Sequence, residues 1–349
     1  MWVAGTPASW SLVRLQCPGQ SPVVLEGTST AMPPIDSQHL VDPELRSLLD
    51  AFPTVSFSAD ILPDLRANVP HYERNGADLS QTDVAVHRID APRGTHGVEV
   101  WFYRPQGVGD LLPCLLHIHG GGFVIGDAAH LEPVHRRISA RLRCCIASVN
   151  YRLAPETRSP GQVEDCYAAL AWLVREAARL GVDPTSIGVG GESAGGGLAA
   201  ALALLARDRG EYSLKFQHLI YPMLDDRTCV DPAQHAYAGE YIWTPGNNVF
   251  GWASLLGAPP GGDDVSIYAA PARASDLSGL PPTFLAVGAL DLFVDENMEF
   301  GRRLIRAGVP VELHVYPGSF HAFDVSPTAA VSNQMRRDSL DALGRALAR

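Results

Sequence analysis

The run Ile187-Gly188-Val189-Gly190-Gly191-Glu192-Ser193-Ala194-Gly195-Gly196-Gly197 sets a serine between an apolar strand pattern and a small-residue helix pattern. A chain that passes from strand to helix at a single residue holds that residue in a tight, strained turn with its side chain exposed. The turn closes without steric clash only if its neighbours are small, and Gly191 and Gly195 meet that need. Gly191-Glu192-Ser193-Ala194-Gly195 fits the G-x-S-x-G pattern of a nucleophile elbow. What the serine can do then depends on whether the chain also holds a base, an orienting acid and donors for an oxyanion.

The pattern around the elbow is one of strands alternating with helices. Val84, Val86 and Arg88, then Val98, Val100, Phe102 and Arg104, predict two antiparallel strands around a turn at 93–97. Short apolar runs predict buried strands over 114–118, 144–149, 187–190, 216–221, 283–287 and 311–316. Helices are expected over 43–51, 131–142, 163–180 (stopped by Gly181), 194–206, 295–307 (stopped by Gly308) and 332–348. Continuous apolar strands alternating with helices mean a mostly parallel sheet of about eight strands, covered on both faces. The alternation breaks between Leu224 and Leu280, a stretch that carries Tyr237, Tyr241, Trp243 and Trp252. A connection this long carries structure or function. It is expected to lie over the active end of the sheet, together with the Pro-rich segment 33–80.

At 349 residues, 46% of them hydrophobic and 19% charged, the chain can bury about three quarters of its unfolded surface and needs no staples. The net charge of -11 argues against nucleic acid and anionic membranes as partners. No apolar run reaches the roughly 18 residues needed to span a bilayer, so no stable membrane association is expected. Cys17, Cys114, Cys144, Cys145, Cys166 and Cys229 lack metal-ligand spacing, and adjacent Cys144 and Cys145 point to opposite faces if they lie on a strand. Read as reduced thiols, they favour a cytoplasmic location. Residues 1–32 do not read as a signal peptide, and the two expectations for them are a disordered leader or a true start at Met32.

A serine hydroxyl needs a base within hydrogen-bond reach, and the base needs an orienting group. His321 follows a predicted strand in Tyr316-Pro317-Gly318-Ser319-Phe320-His321-Ala322-Phe323, at the sheet edge where open α/β sheets gather reactive groups. Asp291 and Asp295 both follow the strand predicted over 283–287. Asp291 lies in the loop and is assigned as the orienting acid, whereas Asp295 suits a helix start, where a carboxylate offsets free N–H groups. His117-Ile118-His119-Gly120-Gly121-Gly122-Phe123 follows the third predicted strand. Glycines let backbone N–H groups approach a carbonyl oxygen closely. Gly121, Gly122 and Ala194 are therefore expected to donate to an oxyanion, with His119 and Gly120 shaping the loop. His117 and His119 would share a face of a strand, but no third metal ligand lies near, and no metal or cofactor is expected. Glu192 is expected to turn away from Ser193 into a hydrogen-bonded structural role. Gly190–Gly197 lacks the Lys-Ser/Thr of a phosphate loop, and Gly195-Gly196-Gly197-Leu198-Ala199-Ala200 matches a dinucleotide pattern only inside a helix. Phe123, Phe320, Phe323 and the 243–252 stretch suit an apolar pocket or simple core packing equally well.

The order Ser193, Asp291, His321 is that of α/β-hydrolases. Together with His119-Gly120-Gly121-Gly122-Phe123, Asn150-Tyr151-Arg152-Leu153-Ala154-Pro155-Glu156, Gly191-Glu192-Ser193-Ala194-Gly195-Gly196-Gly197, Asp291-Leu292-Phe293-Val294-Asp295-Glu296 and His321-Ala322-Phe323, it resembles the hormone-sensitive lipase family of bacterial esterases over roughly residues 80 to 345. The resemblance implies an α/β-hydrolase fold as a single domain, 33–349, with a helical cap drawn from 33–80 and 225–280. It implies cleavage of small-molecule esters with short to medium acyl groups through an acyl-enzyme, without cofactor or metal. Activity would then fall at acidic pH as the free imidazole of His321 becomes protonated. The alternatives are a ligand-binding receptor that has lost catalysis and an amidase or peptidase with the same three residues. Family members are often homodimers through the sheet edge and the last helix. Glu192 departs from the Asp of many relatives while keeping an acid.

Overall fold

The computed structural model describes residues 36–52, 54–69, 79–90, 97–109, 111–230 and 235–348. The expected leader, residues 91–96 of the first turn and residues 70–78 of the N-terminal segment lie outside them. Among the described residues one sheet holds β1 (Thr82–Asp90), β2 (Gly97–Pro105), β3 (Leu112–Ile118), β4 (Cys145–Asn150), β5 (Val182–Glu192), β6 (Gln217–Ile220), β7 (Thr283–Gly288) and β8 (Val311–Tyr316). Their spatial order is β1-β2-β4-β3-β5-β6-β7-β8. β1 pairs antiparallel with β2, and β2 with β4; every other pairing is parallel. This is the mostly parallel sheet that the sequence implied. The residues of β3 and β7 are buried throughout, as central strands covered on both faces must be. The edge strands β1 and β8 instead leave Val86 and Val315 exposed.

The helices are α1 (Arg46–Ala51), α2 (Leu62–Ala67), α3 (Glu132–Leu142), α4 (Gly161–Arg175), α5 (Ala177–Leu180), α6 (Ala194–Arg209), α7 (Pro245–Leu256), α8 (Val294–Arg306) and α9 (Ala330–Leu347). Alternation along β3 divides the core. Cys114, Leu116 and Ile118 join the cluster that contains the apolar side chains of α4, α6 and α8. Leu115 joins the cluster with Ile138 of α3 and Leu343 of α9 on the opposite face. Cys144 and Cys145 divide between the same two clusters, as a strand alternation requires. α6 is buried on all sides from Ala194 to Ala206. A Cβ at Gly196 or Gly197 would press on Pro222 or Met223, so the glycines of the misleading dinucleotide pattern serve close helix packing.

Three expectations are corrected in detail. The helix expected over 163–180 begins at Gly161 and divides into α4 and α5, because Glu176 adopts φ -93° and ψ 5° outside the helical well. Gly181 stops it as expected, at φ 66°. The strand expected over 187–190 runs from Val182, since its first half is polar and contains Pro184 but still pairs Val182 with Leu112. The stretch expected to form a helix from Pro43 starts as one 3₁₀ turn over Pro43–Leu45, where the Asp42 carboxylate accepts from the Glu44 N–H, before α1 proper.

Candidate active site

β5, which lies between β3 and β6 in the sheet, ends at Glu192 and delivers Ser193. Its backbone is at φ 55° and ψ -122°, a strained conformation for a residue with a side chain. The turn is held from both sides: the Ser193 N–H donates to Ile220 O, and the Met223 N–H donates to Ser193 O. A Cβ at Gly191 or Gly195 would overlap the carbonyl of Ile118, so nothing larger than glycine fits there. Ala194, the first residue of α6, presents its N–H beside the serine with no intrahelical acceptor.

His321 lies in the loop after β8 and Asp291 in the loop after β7. The Leu290 N–H donates to Ser319 O and binds those loops together. The Ser193 hydroxyl lies 2.9 Å from His321 Nε2, and His321 Nδ1 lies 2.8 Å from Asp291 Oδ2. A carboxylate only accepts, so Nδ1 carries the proton and Nε2 is free to take one from the serine. Asp291 is fully buried, and its other oxygen accepts from the Phe293 N–H at 3.0 Å. Asp295 is exposed in the first turn of α8, away from this chain of bonds. Phe293 and Tyr221 both set ring edges against the His321 imidazole. Tyr221 itself has φ 35°, and its hydroxyl donates to Asp324 at 2.7 Å.

Past β3 the chain turns through Gly121 at φ 113°, Gly122 at φ 59° and Phe123 at φ 67°. A Cβ at Gly122 would overlap the ring of Trp243, so this glycine satisfies both a left-handed backbone and a close neighbour. His119 donates from Nδ1 to Gly120 O at 2.8 Å and stacks on Tyr151 at 4.3 Å. Tyr151 in turn donates to His119 O at 3.0 Å. Burial pushes the His119 imidazole down to about 4, against the bond to Gly120, so it is neutral near pH 7. The Ala154 N–H donates to Phe123 O at 2.9 Å. Arg66 of α2 reaches across to Val124 O, Ala154 O and the Glu156 carboxylate, each at 2.8 Å.

His117 and His119 do not converge on a shared ligand. β3 ends at Ile118, and His117 turns instead to Glu192, whose two oxygens lie 3.0 and 2.9 Å from its Nε2. Burial alone would raise the Glu192 carboxyl, but the His117 imidazole and the bond to it hold it below the usual carboxylate range. Among the described residues no group of three or more His, Cys, Asp or Glu is placed to hold a metal ion. The aromatics named from the sequence divide. Phe123, Phe320, Phe323 and Trp252 are fully buried core, while Trp243 lies against Gly122 and Phe57 packs edge-on to it at 5.5 Å. The local sequence around Tyr221, Trp243 and Arg66 carries no cue to these contacts, which these three and Tyr151 make only in the folded chain. Of the four, Tyr151 had a signal, because it stands in the Asn150–Glu156 motif.

A family model described as an alpha/beta hydrolase fold matches residues 115–325. The chain is an α/β-hydrolase. Carboxylesterase NlhH of Mycobacterium tuberculosis is 34% identical to this hydrolase over 300 residues, 81% of this chain and 88% of the relative. Among solved structures, a bacterial heroin esterase superposes with a TM-score of 0.83 at 41% identity, covering 89% of this chain and 99% of that one. Esterase LipW from Mycobacterium marinum gives 0.77 at 30% identity, covering 90% and 98%. The resemblance read from the motifs to the hormone-sensitive lipase esterases thus holds along most of the hydrolase.

Proposed function

We propose that the protein is a carboxylesterase in which Ser193 attacks the carbonyl of a small-molecule ester. The observation that carries this is the unbroken chain from the Ser193 hydroxyl through His321 to buried Asp291, at 2.9 and 2.8 Å. His321 takes the serine proton during attack and returns it to the leaving alcohol. Asp291 keeps the imidazole in the productive tautomer and offsets its charge while it is a cation. The N–H groups of Gly121, Gly122 and Ala194 hold the oxyanion, each contributing roughly 3 to 4 kcal/mol if it matches the donors measured in comparable sites. Water activated by the same histidine then attacks the acyl carbon, releases the acid and restores the Ser193 hydroxyl. His119 and Gly120 shape the loop that aims these donors.

Segments 33–80 and 225–280 form the cap in this reading. Its support is the pairing of Asn247 with both Val55 O and the Phe57 N–H at 2.8 Å, which draws the two segments together beside Trp243. The Trp243 ring against Gly122 and 6.3 Å from the His321 ring supports a preference for short to medium acyl groups. The five described cysteines are free, and among the described residues no helix is long and apolar enough to cross a membrane. The free thiols fit a cytoplasmic enzyme. Hydrolysis of p-nitrophenyl esters of increasing acyl length, with matched anilides beside them, tests the class and the pocket together. Turnover is expected to be highest on short esters and weak on anilides. Failure of a fluorophosphonate to label Ser193 would make the protein a receptor instead.

A further inference from the structure

Glu192 precedes the nucleophile, yet its side chain turns away from it. His117 is the penultimate residue of β3 and pairs in register with Gly190 of β5. Side chains alternate along a strand, so Glu192, two residues beyond Gly190, lies on the same face as His117. That is the α3 face, where the His135 ring packs edge-on against His117 at 4.3 Å. α6 and the rest of the elbow packing lie on the other face. The two strand ends joined by this bond carry the two halves of the site. One residue past Glu192 is Ser193; three past His117 is Gly120, where a Cβ would press on the carbonyl of Glu192 and the Cβ of Ser193. Oxyanion donors act only when held about 2.7–3.1 Å from the developing charge, and a site loosened by an ångström loses much of its rate.

We propose that Glu192 is a positioning residue: its bond to His117 locks the end of β5 to the end of β3 and so fixes the donors of Gly121 and Gly122 relative to the Ser193 hydroxyl. The inference rests on the ester-hydrolase reading above. Reach, rather than charge, is what the lock requires. Glu192→Gln keeps an oxygen at the same distance to accept the His117 Nε2–H. Glu192→Asp keeps the charge but withdraws it by a methylene, and Glu192→Leu removes the acceptor.

The test measures kcat and KM on p-nitrophenyl acetate, with thermal unfolding and fluorophosphonate labelling alongside. The leucine variant is expected to lose about 30-fold in kcat with KM within about twofold, since an oxyanion contact acts in the transition state. Gln is expected to lose no more than about threefold, and Asp an intermediate amount. His117→Asn is expected to lose as much as Glu192→Leu, with no further loss in the double variant. A larger loss in the Gln variant than in the Asp variant, losses that multiply in the double variant, or a folded leucine variant with wild-type kcat would overturn the proposal. If Glu192→Leu does not fold, the Gln and Asp pair still decides it. Wild-type protein that resists fluorophosphonate would overturn the ester-hydrolase reading itself. Normal labelling with an unaffected leucine variant would remove this inference alone.

Discussion

Two chains of carboxylate, imidazole and hydroxyl meet the end of β5. In one, Asp291, His321 and Ser193 are joined at 2.8 and 2.9 Å. In the other, Glu192 reaches His117 at 2.9 Å, and the far nitrogen of His117 faces Ser148 Oγ at 3.4 Å. The residue types are nearly the same, but the settings differ. Ser193 stands in a strained turn beside glycine-rich backbone N–H groups. Ser148 lies inside β4, fully buried, with strands on both sides at Trp101 and His117. The attachment of the imidazole is reversed too, through Nδ1 in the first chain and Nε2 in the second. Both serines are buried, so in the proposed reading it is the strained turn beside the glycine-rich 120–122 loop that separates Ser193 from Ser148.

The contrast is broken most directly at the two serines. Ser193→Ala is expected to lower kcat by about 10⁵- to 10⁶-fold, as removal of a nucleophile does in comparable enzymes. Ser148→Ala is expected to stay within about threefold. Hydrolysis rates of both variants, compared at equal folded fraction by circular dichroism, check this. Comparable losses would mean that the second chain takes part in the chemistry.

The acids come next. Asp291→Asn is expected to cost about 10⁴-fold in kcat by leaving His321 in the wrong tautomer. Asp295→Asn, exposed on α8, is expected to change it by less than about twofold. Steady-state turnover of the two variants side by side decides which acid orients the base. Equal losses would undo the assignment.

The smallest expected effect sharpens the second chain by its neighbour His218, whose Nε2 lies 3.1 Å from the Ser339 hydroxyl on the same face. Burial holds its imidazole down to about 4, from an ordinary 6.5. Between those values the unfolded chain binds a proton that the folded chain refuses, so stability falls as pH drops through this window. The full contribution is roughly 3 kcal/mol at this site. His218→Gln is expected to flatten the stability profile between pH 6.5 and 4. Urea unfolding at pH 7 and at 4.5 measures it, and an unchanged slope would show that His218 is charged in the fold.

Much of the sheet was readable because burial on two faces writes itself as continuous apolar runs, as in β3 and β7. The polar start of β5 was not, since Asp183, Pro184 and Thr185 carry no strand signal and lie in an irregularity between the Val182–Leu112 and Ile187–Cys114 pairs, with Thr185 bonded to the Asp183 carboxylate. The break at Glu176 was hidden for a similar reason: a single residue leaves the helical well while the flanking sequence stays helix-compatible. Around the site, Ser193, Asp291 and His321 could be named because each follows a strand, and strand ends share one edge. Tyr221 and Trp243 could not. Their sequence neighbours say nothing of His321 or Gly122, which they meet only after the chain folds back on itself.

The amino-acid order alone determined the alternation of strands and helices, the tight turn at Ser193 and the succession of reactive side chains along one sheet edge, because all three follow from local sterics and periodic burial. Which imidazole meets which carboxylate was decided by the tertiary structure. Glu192 and His117 are 75 residues apart, and His321 and Ser193 128 apart, and only strand register and loop packing set those distances.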